Sequence, residues 1–431
     1  MTSNSIDAIL TDPTSVHPLY QPIVDLATEA VVGYEALARW PRHPDTDPAA
    51  VFAEAAEQRT SDALDWACRT AAIGGALDAD MTGDLSLFIN IEPLSSRTVP
   101  AYARKSLHAA HSRLSIVIEL TERSLLDDPA RLLDTVRRAR RSGYSIALDD
   151  VGSHPDSLAL LDFIAPDIIK LDCAVVQSDL SPHHAAVLIA IAIAAHVEST
   201  GAQVLAEGIE TDDHLLRARA LGATLGQGCM FGRPAPLPPR TGLPEPSSIG
   251  SEPDHRVTAA ALNARPRAEP AVVHVPSDLL PDAAQLGTKS LLLALTRQLK
   301  DHAHLMRDPL TIQAAFQDSD WFTPSVAERY TLLAADNPFV TALGIGMDTE
   351  PAPGVRGAAL RAGERFVGEW TITIVGSHYC AALIARDLGD TGPDHARRFS
   401  YLLTHDRSTV LAAARSMMHR VLPIESSPPP R

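Results

Sequence analysis

Residues Ser115 to Gly152 read SIVIELTERSLLDDPARLLDTVRRARRSGYSIALDDVG. The segment begins with a β-like run, Ser115–Glu122, and ends with another, Tyr144–Gly152. Between them Asp128 is positioned to cap a helix, Pro129 to open it and Gly143 to close it. The unit is strand, helix, strand, and such units build parallel sheets. The same alternation extends in both directions. Further β-like runs are LYQPIVDL (Leu19–Leu26), VVGYEALARW (Val31–Trp40), SLFINIEP (Ser86–Pro93), DIIKLD (Asp167–Asp172), QVLAEGIE (Gln203–Glu210) and ATLGQGCMFG (Ala223–Gly232). Eight runs predict a (β/α)8 barrel. An open doubly wound sheet is the alternative, but no glycine-rich dinucleotide turn follows any run.

The runs finish on polar residues: Glu35, Asn90, Glu119, the pair Asp149–Asp150, Lys170, Glu207 and Gln227. In a barrel the C-terminal strand ends meet at one mouth, where catalytic groups sit. A single Glu at a strand end is most simply a cap or a salt bridge. Seven successive ends carrying such groups are not explained that way. Glu35, Asn90, Glu119, Asp149 and Asp150 offer only oxygen, which suits Mg2+ or Mn2+ rather than zinc. Glu35 lies in an apolar run, where an unpaired charge is expensive, and converging carboxylates repel one another. A bound cation is therefore its expected partner. Lys170 adds a movable positive charge that can orient a water or stabilise an anion. Glu207 can bridge metals or act as a base. Two metals about 3.5–4 Å apart are standard apparatus for in-line phosphodiester hydrolysis.

Residues 1–233 resemble the EAL domain, the cyclic di-GMP phosphodiesterase family. The eponymous triplet is Glu35-Ala36-Leu37. Also matching are QPIVDL (Gln21–Leu26), FIN ending at Asn90, ELTE (Glu119–Glu122), LDD (Leu148–Asp150), IKLD (Ile169–Asp172), AEGIE (Ala206–Glu210) and GQG (Gly226–Gly228). The resemblance implies a modified (β/α)8 TIM barrel whose first strand runs antiparallel to the rest. It implies Mg2+ or Mn2+, two per active site, held by Glu35, Asn90, Glu119, Asp149 and Asp150. Glu207 would stand beside the nucleophilic water, Lys170 would assist that water, and Gln227 would position the network. Gln21, Leu37 and Arg39 would contact the dinucleotide, and Glu122 would support a loop. The implied reaction converts cyclic di-GMP to linear pGpG, with Ca2+ inhibitory and the protein a homodimer through the barrel. One passage departs from the family: DDFGTGYSSL is replaced by DDVGSHPDSL, Asp149–Leu158. That change leaves a cyclic di-GMP receptor with little or no turnover as the alternative reading.

Prolines crowd residues 234–276, in RPAPLPPRTGLPEPSSIGSEPD and ARPRAEPAVVHVP. Proline fixes φ and lacks a backbone donor, so this reads as a linker. Beyond it, residues 277–425 are expected to be α+β, and the tail 426–431 disordered. KSLLLALTRQLKDHA and DRSTVLAAARSMMHRVL have helical patterns, while WTITIVG and YCAALIARDL are β-like. WFTPSVAERY, GIGM, GEW and ARDLGDTGPDHARRFSYLLTHDR resemble the DICT sensory domain, which implies input of an unknown signal. The linker predicts a barrel that folds without the second domain.

A formal net charge of −16 argues against nucleic-acid polymers and anionic membranes as partners. The apolar stretch Ala185–Val197 is too short to span a bilayer and is broken by His196. The N-terminus shows no secretory pattern, and Cys68, Cys173, Cys229 and Cys380 form no CxxC pair. Both features fit a reducing cytoplasm.

Overall fold

The structure is a computed structural model and describes residues 3–92, 98–121, 126–153, 156–178, 184–237, 273–306, 309–391 and 393–424. Glu122, the loop residues His154 and Pro155, most of the expected linker and the expected tail lie outside the described residues.

Eight strands close a barrel in sequence order. They are β1 His17–Asp25, β2 Val31–Arg39, β3 Ser86–Ile91, β4 Ser115–Thr121, β5 Ser145–Val151, β6 Ile168–Leu171, β7 Gln203–Ala206 and β8 Leu225–Gly226. β1 pairs antiparallel with both β2 and β8, as the resemblance implies. Every other pair in the barrel is parallel. The reason is local. The β1–β2 connection is too short to hold a crossover helix, so the chain must turn back on itself. Asp25 organises that turn, its Oδ1 accepting from the Ala27 and Thr28 amides at 3.0 and 2.8 Å. Glu29 takes the left-handed φ of 58° that completes it.

Helix α5, Pro129–Arg141, lies where the sequence predicts it. The Asp128 carboxylate accepts from the Arg131 amide at 2.9 Å, and Gly143 follows the helix at φ 77°. Along the barrel axis one residue from each strand forms an apolar plug: Ile23, Val32, Phe88, Val117, Ala147, Ile168, Leu205 and Leu225. This layer is the floor of what lies above it.

The C-terminal part is a seven-stranded mixed sheet. Its strands are β9 Gln285–Thr288, β10 Thr311–Asp318, β11 Phe339–Ile345, β12 Val355–Leu360, β13 Glu369–Val375, β14 Cys380–Asp387 and β15 Arg398–Thr404. Spatially they run β12-β11-β10-β13-β14-β15-β9. Two described helices, here α10 (Lys289–Leu305) and α11 (Pro324–Asp336), cover one face through Leu292, Leu299, Tyr330 and Leu333. The last, here α12 (Arg407–Met418), covers the other through Val410, Ala413, Ala414 and Met418.

The two parts share a core. Leu133 of α5 and Phe163 of α6 (Asp156–Ile164) cluster with Phe339, Val375, Cys380, Val410 and Met418. Arg407 of α12 pairs with the buried Asp162 of α6. Arg415 donates to the Asp162 and Phe163 carbonyls at 2.9 and 3.0 Å. Arg356 of β12 donates to the carbonyls of Leu126 and Asp127. Removing the second domain would uncover Leu133 and Phe163 on the barrel. Among the described residues no helix is long and apolar enough to cross a membrane. Ala185–Val197 belongs to α8, His184–Thr200, with Ile189, Ala192, Ile193 and His196 buried.

Candidate active site

Successive side chains of a strand point to opposite faces, so every second residue of a barrel strand points inward. Two positions from the apolar plug, toward the mouth, stand Gln21, Asn90, Glu119, Asp149, Lys170, Glu207 and Gln227. β1 runs the other way, so its inward residue at this level, Gln21, precedes Ile23. β2 has a register shift opposite Ile23 and Val24, and contributes Glu35, which pairs with Gln21 on β1 and Phe88 on β3. Each of the eight strands, or the residue just past its end, thus supplies one polar side chain to a single layer.

Lys170 is the hub. It is 0% exposed, and its Nζ lies 2.6 Å from Glu119 Oε1, 2.8 Å from Glu207 Oε1 and 2.9 Å from Asp149 Oδ1. Glu35 Oε2 is further away at 3.6 Å. The sequence suggests a movable charge, but Lys170 is held by three carboxylates in a closed layer. Asn90 Nδ2 donates to Glu35 Oε1 at 3.0 Å and to Glu119 Oε2 at 2.9 Å. Gln227 Nε2 donates to Glu35 Oε2 at 2.8 Å and to Gln21 Oε1 at 3.2 Å, and Gln21 donates to the Gly232 carbonyl at 3.1 Å. Both carboxylate oxygens of Glu35 therefore accept from amide donors.

Asp149 and Asp150 are adjacent, and in a regular strand they would diverge. The pairing of β5 with β6 shifts between Leu148 and Val151. Asp150 takes a left-handed φ of 57°, uncommon for a residue with a side chain. This bulge lets oxygens of Asp149, Asp150 and Glu207 lie within 4.8 Å of one another. Gln227 is fixed by the residue after it. Gly228 has φ 157°, and a Cβ there would lie 2.1 Å from the Ile209 carbonyl oxygen. Only glycine lets the chain pass this close.

The electrostatics are those of crowded acid. Burial opposes the Glu35 charge, but Lys170 and the donors Gln227 and Asn90 prevail and hold its carboxyl below the ordinary range. Burial raises Glu119 well above that range, with Glu35 and Asp149 adding to the effect against Lys170. Burial likewise pushes Glu207 up to about 8, opposed by Lys170 and reinforced by Asp149 and Glu35. Lys170 is raised well above its usual value: burial works against its charge, and four carboxylates led by Asp149 outweigh burial. One ammonium faces four carboxyl groups, with Asp150 close to two of them, so the donor set is rich in acidic oxygen. Hard divalent cations fit such a set.

Leu37 and Arg39 share the inward parity of Glu35 and stand further along β2, half-buried, toward the mouth. Arg39 Nη1 donates to the Ala38 carbonyl at 2.8 Å. They rise above the polar layer rather than joining it. The contacts of Asp162 with Arg407 and Arg415, by contrast, are not marked by any local motif. Their partners are 245 and 253 positions away.

The pattern of the EAL domain matches residues 8–234, more than half of the chain. That of the sensory domain in diguanylate cyclases and two-component systems, DICT, matches residues 273–388. An uncharacterised signalling protein of Caulobacter vibrioides is 34% identical over 227 residues, 51% of this chain and 27% of that protein. The cyclic di-GMP phosphodiesterase RocR of Pseudomonas aeruginosa is 31% identical over 225 residues, 50% of this chain and 57% of RocR. Among solved structures, Klebsiella pneumoniae BlrP1 in a manganese and cyclic di-GMP complex shares 29% identity. That match covers 51% of this chain and 56% of BlrP1, at a TM-score of 0.44. The chain spans only part, 26–57%, of the length of the first curated relatives it matches. By the match over its barrel, this chain belongs to the EAL-domain family, and it carries a DICT domain after the barrel.

Proposed function

We propose that the barrel is a divalent-metal phosphodiesterase that hydrolyses cyclic di-GMP to linear pGpG. The observation that carries this reading is the inward layer, in which four carboxyl groups and one buried lysine converge on an apolar floor, with Asp150 brought beside them by the bulge in β5. Curated relatives named as cyclic di-GMP phosphodiesterases, RocR among them, support the substrate.

Glu35, Asn90, Glu119, Asp149 and Asp150 would hold Mg2+ or Mn2+, which supply Lewis acidity toward a phosphoryl oxygen. The chain's own residues do the rest. Glu207, near the Asp149–Asp150 pair, takes the proton of the attacking water. The water oxygen bonds to phosphorus, and the bond from phosphorus to the 3′ oxygen breaks. That oxygen takes a proton from solvent and leaves as a hydroxyl, and the product keeps a 5′ phosphate. Lys170 assists the attacking water while fixing Glu119, Asp149 and Glu207 in place. Gln227 sets the orientation of Glu35. Gln21, Leu37 and Arg39 contact the dinucleotide from β1 and the mouth side of β2. Incubation with cyclic di-GMP and Mg2+ followed by chromatography should yield pGpG. Intact ligand after prolonged incubation would reject the reading.

In this reading residues 1–233 are the catalytic unit, 234–276 a linker and 277–425 the sensory unit, and the protein is cytoplasmic and dimerises through the barrel. The sensory unit acts through α6. This helix follows β5, which carries Asp149 and Asp150, and it is clamped by Arg407 and Arg415 of α12. Arg407→Ala should lower turnover about two- to thirty-fold, the range of couplings carried by packed elements, with the circular dichroism unchanged. Arg398→Ala serves as control, because that side chain is exposed and pairs within its own domain with Asp390. Equal rates for both variants and the wild type would sever α6 from the catalytic site.

A further inference from the structure

The face of α10 that looks onto the sheet carries Lys289, Leu293, Thr296 and Lys300, spaced at four, three and four residues. That spacing places all four on one side of a helix. Together with Phe316, Trp321, Tyr330 and Trp370 they enclose a cavity of about 110 Å3 inside the C-terminal domain. Small residues of β10, Ala314 and Ala315, leave the space. Trp321 and Leu293 are 40% and 48% exposed and border it on the solvent side.

The wall is unusual in its polar groups. Lys289 is already engaged: its Nζ is 2.5 Å from Asp394 and 3.3 Å from the Trp321 ring centroid. Trp370 Nε1 donates to Thr296 at 3.2 Å. Lys300 is different. It is only 7% exposed and has no carboxylate at ion-pair distance among the described residues. Its Nζ lies 5.1 Å from the Tyr330 ring centroid. Tyr330 is fully buried, and its hydroxyl has no hydrogen-bond partner among the described residues. A buried hydroxyl without a partner is costly, and a lysine only 7% exposed with no carboxylate beside it has lost much of its hydration, so an anion would relieve both. Burial depresses the Lys300 amine to about 8, helped by Arg329 and Arg297 against Asp301.

We infer that this cavity binds a monocyclic aromatic carboxylate, with the carboxylate on Lys300 and the Tyr330 hydroxyl and the ring among Trp370, Phe316 and Trp321. The size sets an upper limit: an apolar cavity of about 150 Å3 takes one benzene ring, so this smaller space has no room for a fused pair and takes a single ring only by using its opening beside Trp321 and Leu293. Lys300 sets the charge. The aromatic lining sets the planarity, through edge and face contacts with the ring. The inference concerns the C-terminal domain alone and stands apart from the chemistry proposed for the barrel.

The test is calorimetry on the full chain with benzoate and 4-hydroxybenzoate as probes and benzamide as the neutral control. Saturable binding of a carboxylate is expected, with benzamide at least about ten-fold weaker, the scale of a charge-assisted hydrogen bond. Lys300→Met should weaken the carboxylate by a similar factor and should not lower the melting temperature, since it removes an unpaired buried charge. Val326→Phe fills the cavity from α11 and should abolish binding, which decides the matter even if Lys300→Met misfolds. Three results would overturn the inference: no carboxylate binding at millimolar concentration, equal affinity for benzamide, or full affinity in Val326→Phe.

Discussion

Glu35→Ala is expected to lower cyclic di-GMP hydrolysis at least about a thousand-fold, because it removes an oxygen ligand where transition-state charge is stabilised. The change leaves Asn90 and Gln227 each short of an acceptor, but it adds no bulk to a layer that rests on the plug. Glu35→Gln should be no milder. Both Glu35 oxygens accept from amide donors, so the new NH2 would face either Asn90 Nδ2 or Gln227 Nε2, donor against donor. Steady-state rates at saturating Mg2+ check this. A Glu35→Ala protein that turns over at the wild-type rate would remove Glu35 from the ligand set.

The second large effect is on stability. Lys170→Met should destabilise the metal-free protein by about 3–5 kcal/mol, the usual consequence of breaking a buried charge network from one side. Glu119, Asp149 and Glu207 would lose their common cation within 2.6–2.9 Å. Added Mn2+ should recover part of the loss, since a ligand that binds only the folded state raises its stability. Chemical unfolding with and without Mn2+ is the measurement. An unchanged midpoint in the absence of metal would mean that the carboxyl groups are neutral without Lys170.

Much of this site could be read before the fold was known. The polar ends Asn90, Glu119, Asp149, Lys170, Glu207 and Gln227 follow apolar runs at period two, and that periodicity is what places them in one layer. The antiparallel β1 was implied by resemblance; its physical cause, the Asp25 turn, is also local. Val151 is fully buried, and β5 continues through it, so the bulge that aims Asp149 and Asp150 is kept. Other features were out of reach. β10 (TIQAAFQD) and β12 (VRGAAL) are rich in Ala, Thr or Gly and carry no strong apolar pattern of their own. The clamp between Asp162 and Arg407 joins residues far apart in sequence, each of them ordinary in its local context. The bulge at Asp150 depends on its backbone angle, which residue identity alone does not dictate.

The central claim is that this oxygen-lined layer performs metal-dependent hydrolysis, and one paired measurement tests it most directly. Purified protein is incubated with cyclic di-GMP in Mg2+ and, in parallel, in Ca2+, and the nucleotides are separated by chromatography. Ca2+ takes a larger and looser oxygen shell than the near-octahedral one Mg2+ requires. The account predicts pGpG in Mg2+ and intact, protein-bound cyclic di-GMP in Ca2+. Intact ligand bound in both would contradict it and make the barrel a receptor.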